Sequence, residues 1–175
     1  VPVPAAEAAR GHDLPWVRVA PGDAAAAAAW ERTLERGGVA NRYLRPAWLD
    51  VYRRAYGLSV CCVAVPGSAG LLDLVLPLVR VRSLLFGDGW IGLPFVTDAG
   101  LWWDPEALSA EAAWGVVEAA AGVLGRAVQV RGADASERLP GAPMATSKAV
   151  FRRDLPATVE ALWATFPPKL RSQVR

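Results

Sequence analysis

A chain of 175 residues, 53% apolar and only 21% charged, carries enough hydrophobic side chain to bury a substantial core as one globular domain or slightly more, which excludes disorder for most of its length. Its net charge of +2 is too small to imply DNA as a partner, although the cations are nearly all arginine, with Lys148 and Lys169 the only lysines. One histidine, His12, and two adjacent cysteines, Cys61 and Cys62, leave little material for a zinc site or a histidine-activated nucleophile.

Neighbouring Cα atoms lie about 3.8 Å apart, too close for an unstrained disulfide, so Cys61 and Cys62 read as small apolar strand residues of a reducing compartment. The apolar runs are interrupted by Asp73, Pro77, Arg80 and Arg82, well short of the ~20 residues a spanning helix needs. The start, Val1-Pro2-Val3-Pro4, lacks the basic and apolar regions of a secretory signal and an initiating Met, so a cytoplasmic chain cut from a longer or processed parent is expected. No cofactor and no metal are expected.

In chain order, residues 1–15 read as a flexible N-terminal arm leading to a short strand, Trp16 to Val19. Asp23 caps an alanine-rich helix from Ala24 to about Arg36, ended by Gly37-Gly38, with Trp30 and Leu34 as its contact stripe. Pro46 opens a second helix in which Trp48, Val51, Tyr52 and Ala55 recur at helical spacing and Gly57 is the stop; Asp50, Arg53 and Arg54 form its exposed face.

Ser59 to Val65 is a strand of β-branched and small residues, turned by Pro66 to Gly70 into a long hairpin over Leu71 to Gly100. The hairpin is predicted to turn at Gly87-Asp88-Gly89, since Asp-Gly tolerates the positive φ that a tight turn requires. Proline cannot donate to a ladder, so Pro77 demands an edge position, a bulge or a strand end.

The chain then leaves the sheet through Thr97 to Gly100 and Leu101-Trp102-Trp103. Asp104 and Pro105 open a helix to about Leu124 with Glu111 and Glu118 on its acidic face. Val128 to Arg131 and Lys148 to Leu155 read as strands separated by a loop over 132–146. Pro156 and Thr158 start a helix with Val159, Leu162, Trp163 and Phe166 inward, and Pro167-Pro168 breaks it before a basic helix that begins at Lys169. The order describes an α/β domain over residues 16–168 with a mixed, largely antiparallel sheet flanked by helices.

Several groups invite a chemical reading beside a plainer one. Arg82 to Gly89 has the look of a glycine-rich pyrophosphate loop, but such a loop runs from a strand into a helix and this one joins two strands, so a hairpin turn is the better reading. Asp98 and Asp104 flank aromatic residues at a strand exit and suit a general base or acceptor, or simply a loop and a helix cap. Trp102-Trp103 suits sugar stacking or packing. Arg80 and Arg82 share a strand face that is open to an anion or to water, and Lys169, Arg171 and Arg175 concentrate charge at a helix start.

Taken together, Tyr43-Leu44-Arg45-Pro46-Ala47-Trp48-Leu49, Leu76-Pro77-Leu78, Arg82 to Gly87, Leu93-Pro94-Phe95-Val96, Val128 to Arg131, and Leu162-Trp163 through Lys169 to Arg175 resemble, in order, the FemAB-like proteins, most nearly those of exosortase (PEP-CTERM) and exopolysaccharide systems. The resemblance covers most of the chain from Asn41 onward. It implies a GNAT-like (acyl-CoA N-acyltransferase-like) fold, one of two in tandem, with a second such domain after Arg175.

It also implies transfer of an aminoacyl or acyl group to an amine on an anionic, glycan-linked cell-envelope precursor, with a charged tRNA or another acyl donor. By the same resemblance Arg45, Arg53, Phe95, Asp98 and Arg131 lie near the acceptor cleft, and Lys169, Arg171 and Arg175 begin the helix toward the second domain. Members often read Tyr-Gly-Gly after the Pro-Phe strand; this chain has Thr97-Asp98-Ala99-Gly100. The other reading is a non-catalytic GNAT-like binding domain for envelope precursors.

Overall fold

The computed structural model describes residues 9–11, 14–20, 22–83, 87–96, 100–131, 139 and 154–173. The chain divides into two compact units, Val1–Met144 and Ala145–Arg175, a division that falls inside the stretch read as one domain.

The first unit is a mixed α/β structure. Strands β1 (Ala9–Gly11), β2 (Leu14–Val19), β3 (Val60–Pro66), β4 (Leu72–Ser83), β5 (Gly87–Ile91) and β7 (Ala127–Gln129) lie side by side in the order β1-β2-β3-β4-β5-β7, and the two-residue β6 (Trp102–Trp103) pairs with β4. All pairings are antiparallel except β5 with β7. Pairing starts earlier than the sequence suggests, because Ala9–Gly11, within the stretch read as an arm, pairs with Leu14 to Trp16.

Helices α1 (Ala24–Arg36) and α2 (Ala47–Tyr56) cover one face of the sheet and α3 (Ala110–Leu124) the other. Alternation along β4 separates the two cores: Leu74, Leu76 and Leu78 join Trp16, Val63, Trp90 and the α3 residues Val116 and Val117, while Val75 and Val79 join Trp30, Leu34, Leu49 and Tyr52. Asp23 caps α1 by accepting from the Ala26 amide at 3.0 Å, and Gly57 ends α2 in the left-handed region, as expected. The inward face of α2 is set by Leu49 and Tyr52 rather than Val51 and Ala55, which are exposed, because the helix lies rotated toward the Leu49 side.

Three elements differ from expectation. Register places Ser83 opposite Gly87 and Val81 opposite Gly89, so Gly87-Asp88-Gly89 lies within β5 and the hairpin loop is 84–86, outside the described residues. Trp102 and Trp103 return to the sheet, pairing with Val75 and Leu74, instead of leaving it. Asp104 caps only a turn, its Oδ1 accepting from the Glu106 amide at 2.9 Å; α3 starts later, where Ser109 accepts from Ala112 at 3.2 Å.

Pro77 is the informative strand residue. The Arg80 amide donates to the carbonyl of Ser59, just before β3, at 2.8 Å, and amides alternate sides along a strand, so the Pro77 nitrogen faces away from β3. On that side β4 is paired at 74–75 by β6 and at 79–83 by β5, leaving an interval between them where a missing N–H costs nothing. Pro77 thus sits mid-strand and buried, on a stretch of edge with no partner among the described residues.

The second unit contains two short helices, α4 (Val159–Ala164), capped by Thr158, and α5 (Pro168–Gln173). Trp163 and Phe166 meet edge to face at 6.0 Å. Leu162, Trp163 and Phe166 are half-buried, but Val159, expected inward, is 74% exposed. The predicted strand Lys148 to Leu155 lies outside the described residues except for Asp154 and Leu155, which are irregular.

Candidate functional site

The parallel pair β5–β7, joined through α3, gives the sheet one end where two strands terminate side by side at their carboxyl ends, the place where open α/β sheets leave a crevice. Beyond Ile91 the ladder continues for one bond, Gly92 N–H to Gln129 O at 2.8 Å, and the backbones then crowd together. A Cβ on Gly100 would come within 2.4 Å of the Arg131 carbonyl oxygen, and one on Gly92 within 2.9 Å of the Gly100 Cα. Only glycine permits this approach, which holds the incoming chain at Gly100 against Arg131.

Between them Leu93 and Phe95 take φ values of 41° and 74°, conformations that a side chain with a Cβ rarely adopts. Such strain persists only where the surroundings over-determine it. Here the surroundings are α2 and the core: Leu93 is fully buried, and the Tyr52 hydroxyl donates to the Pro94 carbonyl oxygen within the interior. Phe95 is thereby turned outward, 72% exposed, yet its ring stacks on Tyr52 at 6.2 Å and tilts against Tyr56 at 5.5 Å. Tyr56 is itself 58% exposed. The result is a fixed aromatic shelf at the end of the parallel pair.

Arg131 adds charge to the shelf. Burial pushes the Tyr52 hydroxyl above its ordinary range, neighbouring Tyr56 adds to that, and Arg131 is near enough to oppose it. Tyr52 therefore stays protonated and acts as a donor, not a base. No carboxylate pairs with Arg131 among the described residues.

Of the residues named from the sequence, Phe95 and Arg131 are brought together here. Arg45 is held by Glu31 at 2.6 Å and Arg53 by Asp50 at 2.7 Å, so both guanidinium groups are already engaged by carboxylates. Lys169 and Arg171 lie on α5 in the second unit. Asp98 and Arg175 lie outside the described residues. Tyr52 was read from the sequence only as a packing residue of the second helix and Tyr56 was not singled out; their i, i+4 spacing on α2 was the available sign that two rings share one face.

No protein-family model, curated protein or solved structure matches this chain.

Elsewhere in the first unit, an open groove of about 420 Å³ runs between β2 and the starts of α1 and α2, lined by Ala24, Ala27, Trp30, Glu31 and Leu49. Cys61 lies beneath Arg18, but burial outweighs that cation and pushes its thiol up to about 11, so it is not a nucleophile at neutral pH. Among the described residues no three His, Cys, Asp or Glu side chains are placed to hold a metal ion, and no helix is long and apolar enough to cross a membrane.

Proposed function

We propose that the chain is an acceptor-binding domain of GNAT-like fold from a FemAB-like acyl or aminoacyl transferase, forming an amide on an anionic, glycan-linked envelope precursor. The observation that carries the proposal is the strained, outward Phe95 stacked with Tyr52 and Tyr56 beside Arg131 at the carboxyl ends of the parallel strands. A rigid aromatic surface suits the apolar face of a sugar or base, and a guanidinium suits the phosphate attached to it.

Amide formation asks for an uncharged amine nucleophile, correctly placed, and for stabilisation of the tetrahedral oxyanion, which backbone amides can supply without a side-chain base. The described shelf supplies placement: it contains aromatic rings and an arginine but no acid–base pair. This reading assigns its residues to binding, and the donor, a charged tRNA or another acyl carrier, to groups beyond the shelf.

The test is calorimetric titration of the chain with a nucleotide-linked amino sugar. Phe95→Ala and Arg131→Gln are each expected to weaken binding about tenfold, the loss of one stacking or one charge-assisted contact, while the melting temperature stays within a few degrees. Wild-type affinity in both variants would sink the proposal.

A further inference from the structure

The opposite end of the same sheet carries a different cluster. On the face covered by α3, just past the carboxyl end of that helix, Asp88 of β5 receives Arg80 in a two-pronged contact, Nε at 2.8 Å and Nη2 at 2.6 Å. Arg126, in the turn between α3 and β7, donates to the same carboxylate at 3.2 Å, and Arg82 lies 3.8 Å from it. From β2, with β3 and β4 between, the Arg18 guanidinium reaches to 5.8 Å from the Trp90 ring centre. Strand alternation places all of these side chains on one face: Arg80 opposite Trp90, Arg82 opposite Asp88.

An ion pair that only stapled β4, β5 and the α3–β7 turn together would need one arginine per carboxylate. Among the described residues this cluster sets three guanidinium groups, those of Arg80, Arg82 and Arg126, against one carboxylate, an excess of two positive charges and as much as the net charge of the whole chain. The sharing also divides the labour. Arg80 and Arg126 are fixed in place, with Arg126 also donating to the Gly125 carbonyl at 2.6 Å, whereas the Arg82 side chain remains 73% exposed.

We propose that this end of the sheet is a second anion-binding site, one that takes a phosphate or pyrophosphate group through Arg82, with Arg126 flanking. A pre-positioned fork of guanidinium donors matches the paired oxygens of a phosphate, and bound phosphate relieves the crowding of like charges. The size of the cluster favours a small phosphorylated molecule over a polyanion, whose affinity is built from many phosphate contacts along an extended track. The site is separate from the aromatic shelf, lying at the amino end of β5 instead of its carboxyl end, and does not depend on the transferase reading.

Isothermal titration with inorganic pyrophosphate, with sulfate as a control and at two salt concentrations, tests it. Saturable binding that exceeds sulfate and survives 150 mM NaCl is expected, with a five- to tenfold loss in Arg82→Gln, a surface change that leaves Asp88 and its two fixed partners in place. Arg131→Gln is expected to bind pyrophosphate as wild type does. Equal binding of sulfate, disappearance at 150 mM NaCl, or wild-type affinity in Arg82→Gln would overturn the site; so would loss in Arg131→Gln alone, which would assign the anion to the shelf. Binding of heparin without binding of pyrophosphate would replace the small ligand by a polyanion and equally refute the proposal.

Discussion

The two ends of the β5 strand solve opposite problems. At its amino end the chain gathers charge and neutralises part of it: Asp88 is held well below the usual carboxylate range, first by its hydrogen bonds to Arg80, with Arg126 contributing, so the network stays ionised at any ordinary pH. The backbone there pairs as strand, with a positive φ only at Gly87, where glycine bears it without strain. At the carboxyl end there is little charge but irregular backbone, with two side-chain-bearing residues at positive φ and two glycines admitting a close crossing. Order at one end comes from electrostatics, and at the other from packing and from hydrogen bonds such as that of Tyr52 to Pro94. The difference locates where the fold spends conformational strain, which is where a ligand surface needs rigidity.

The largest effect should follow from breaking the crossing. Gly100→Ala puts a Cβ into the Arg131 backbone, which cannot swing aside as a side-chain tip does, and is expected to cost about 1–3 kcal/mol in urea unfolding together with displacement of Phe95. Stability equal to wild type would mean that the crossing is looser than described.

Tyr52→Phe is milder and more selective. It keeps the ring stacked on Phe95 but removes the donor to the Pro94 carbonyl, with an expected loss of about 1 kcal/mol. Ligand binding at the shelf should weaken more than stability does, since the strained turn loses its latch. Unchanged binding with reduced stability would reduce the hydroxyl to a core contact.

Asp88→Asn probes the charged end through pH. A carboxylate whose folded pKa is depressed contributes stability that is present above its unfolded value, near 4, and lost as pH falls toward the folded value. Wild-type melting temperature should therefore fall below about pH 4 more steeply than that of Asp88→Asn, while binding at the shelf is untouched. Parallel acid profiles would show that the three arginines add nothing through this residue.

Much of the scaffold was legible in the sequence because its signals are local. Asp23, Gly37 and Gly57 mark helix ends by capping chemistry that depends on a few neighbours, and β3 and β4 announce themselves by β-branched runs. The Gly87-Asp88-Gly89 turn was misplaced because Asp-Gly is a turn signal only when no distant partner claims the aspartate. Arg80 and Arg126 do claim it, and the register moves the loop to 84–86.

Pro77 needed the positions of β5 and β6 to make sense, and neither is encoded nearby. At the site, Phe95 and Arg131 were named through resemblance, whereas Tyr52 and Tyr56 emerged only when α2 was laid against the 93–95 turn. Arg45 meets Glu31 only on the folded surface, whereas Asp50 and Arg53 are an i, i+3 pair within α2.

The central claim is that a ligand binds at the carboxyl ends of β5 and β7. Backbone amide NMR of the labelled chain during titration with a nucleotide-linked amino sugar tests it most directly. Saturating shifts concentrated at Gly92, Leu93, Phe95, Val96, Gly100 and Arg131, with the amides of Gly87 to Gly89 unmoved, are the expected result. Shifts confined to the Asp88 end, or no shift at millimolar ligand, would contradict it.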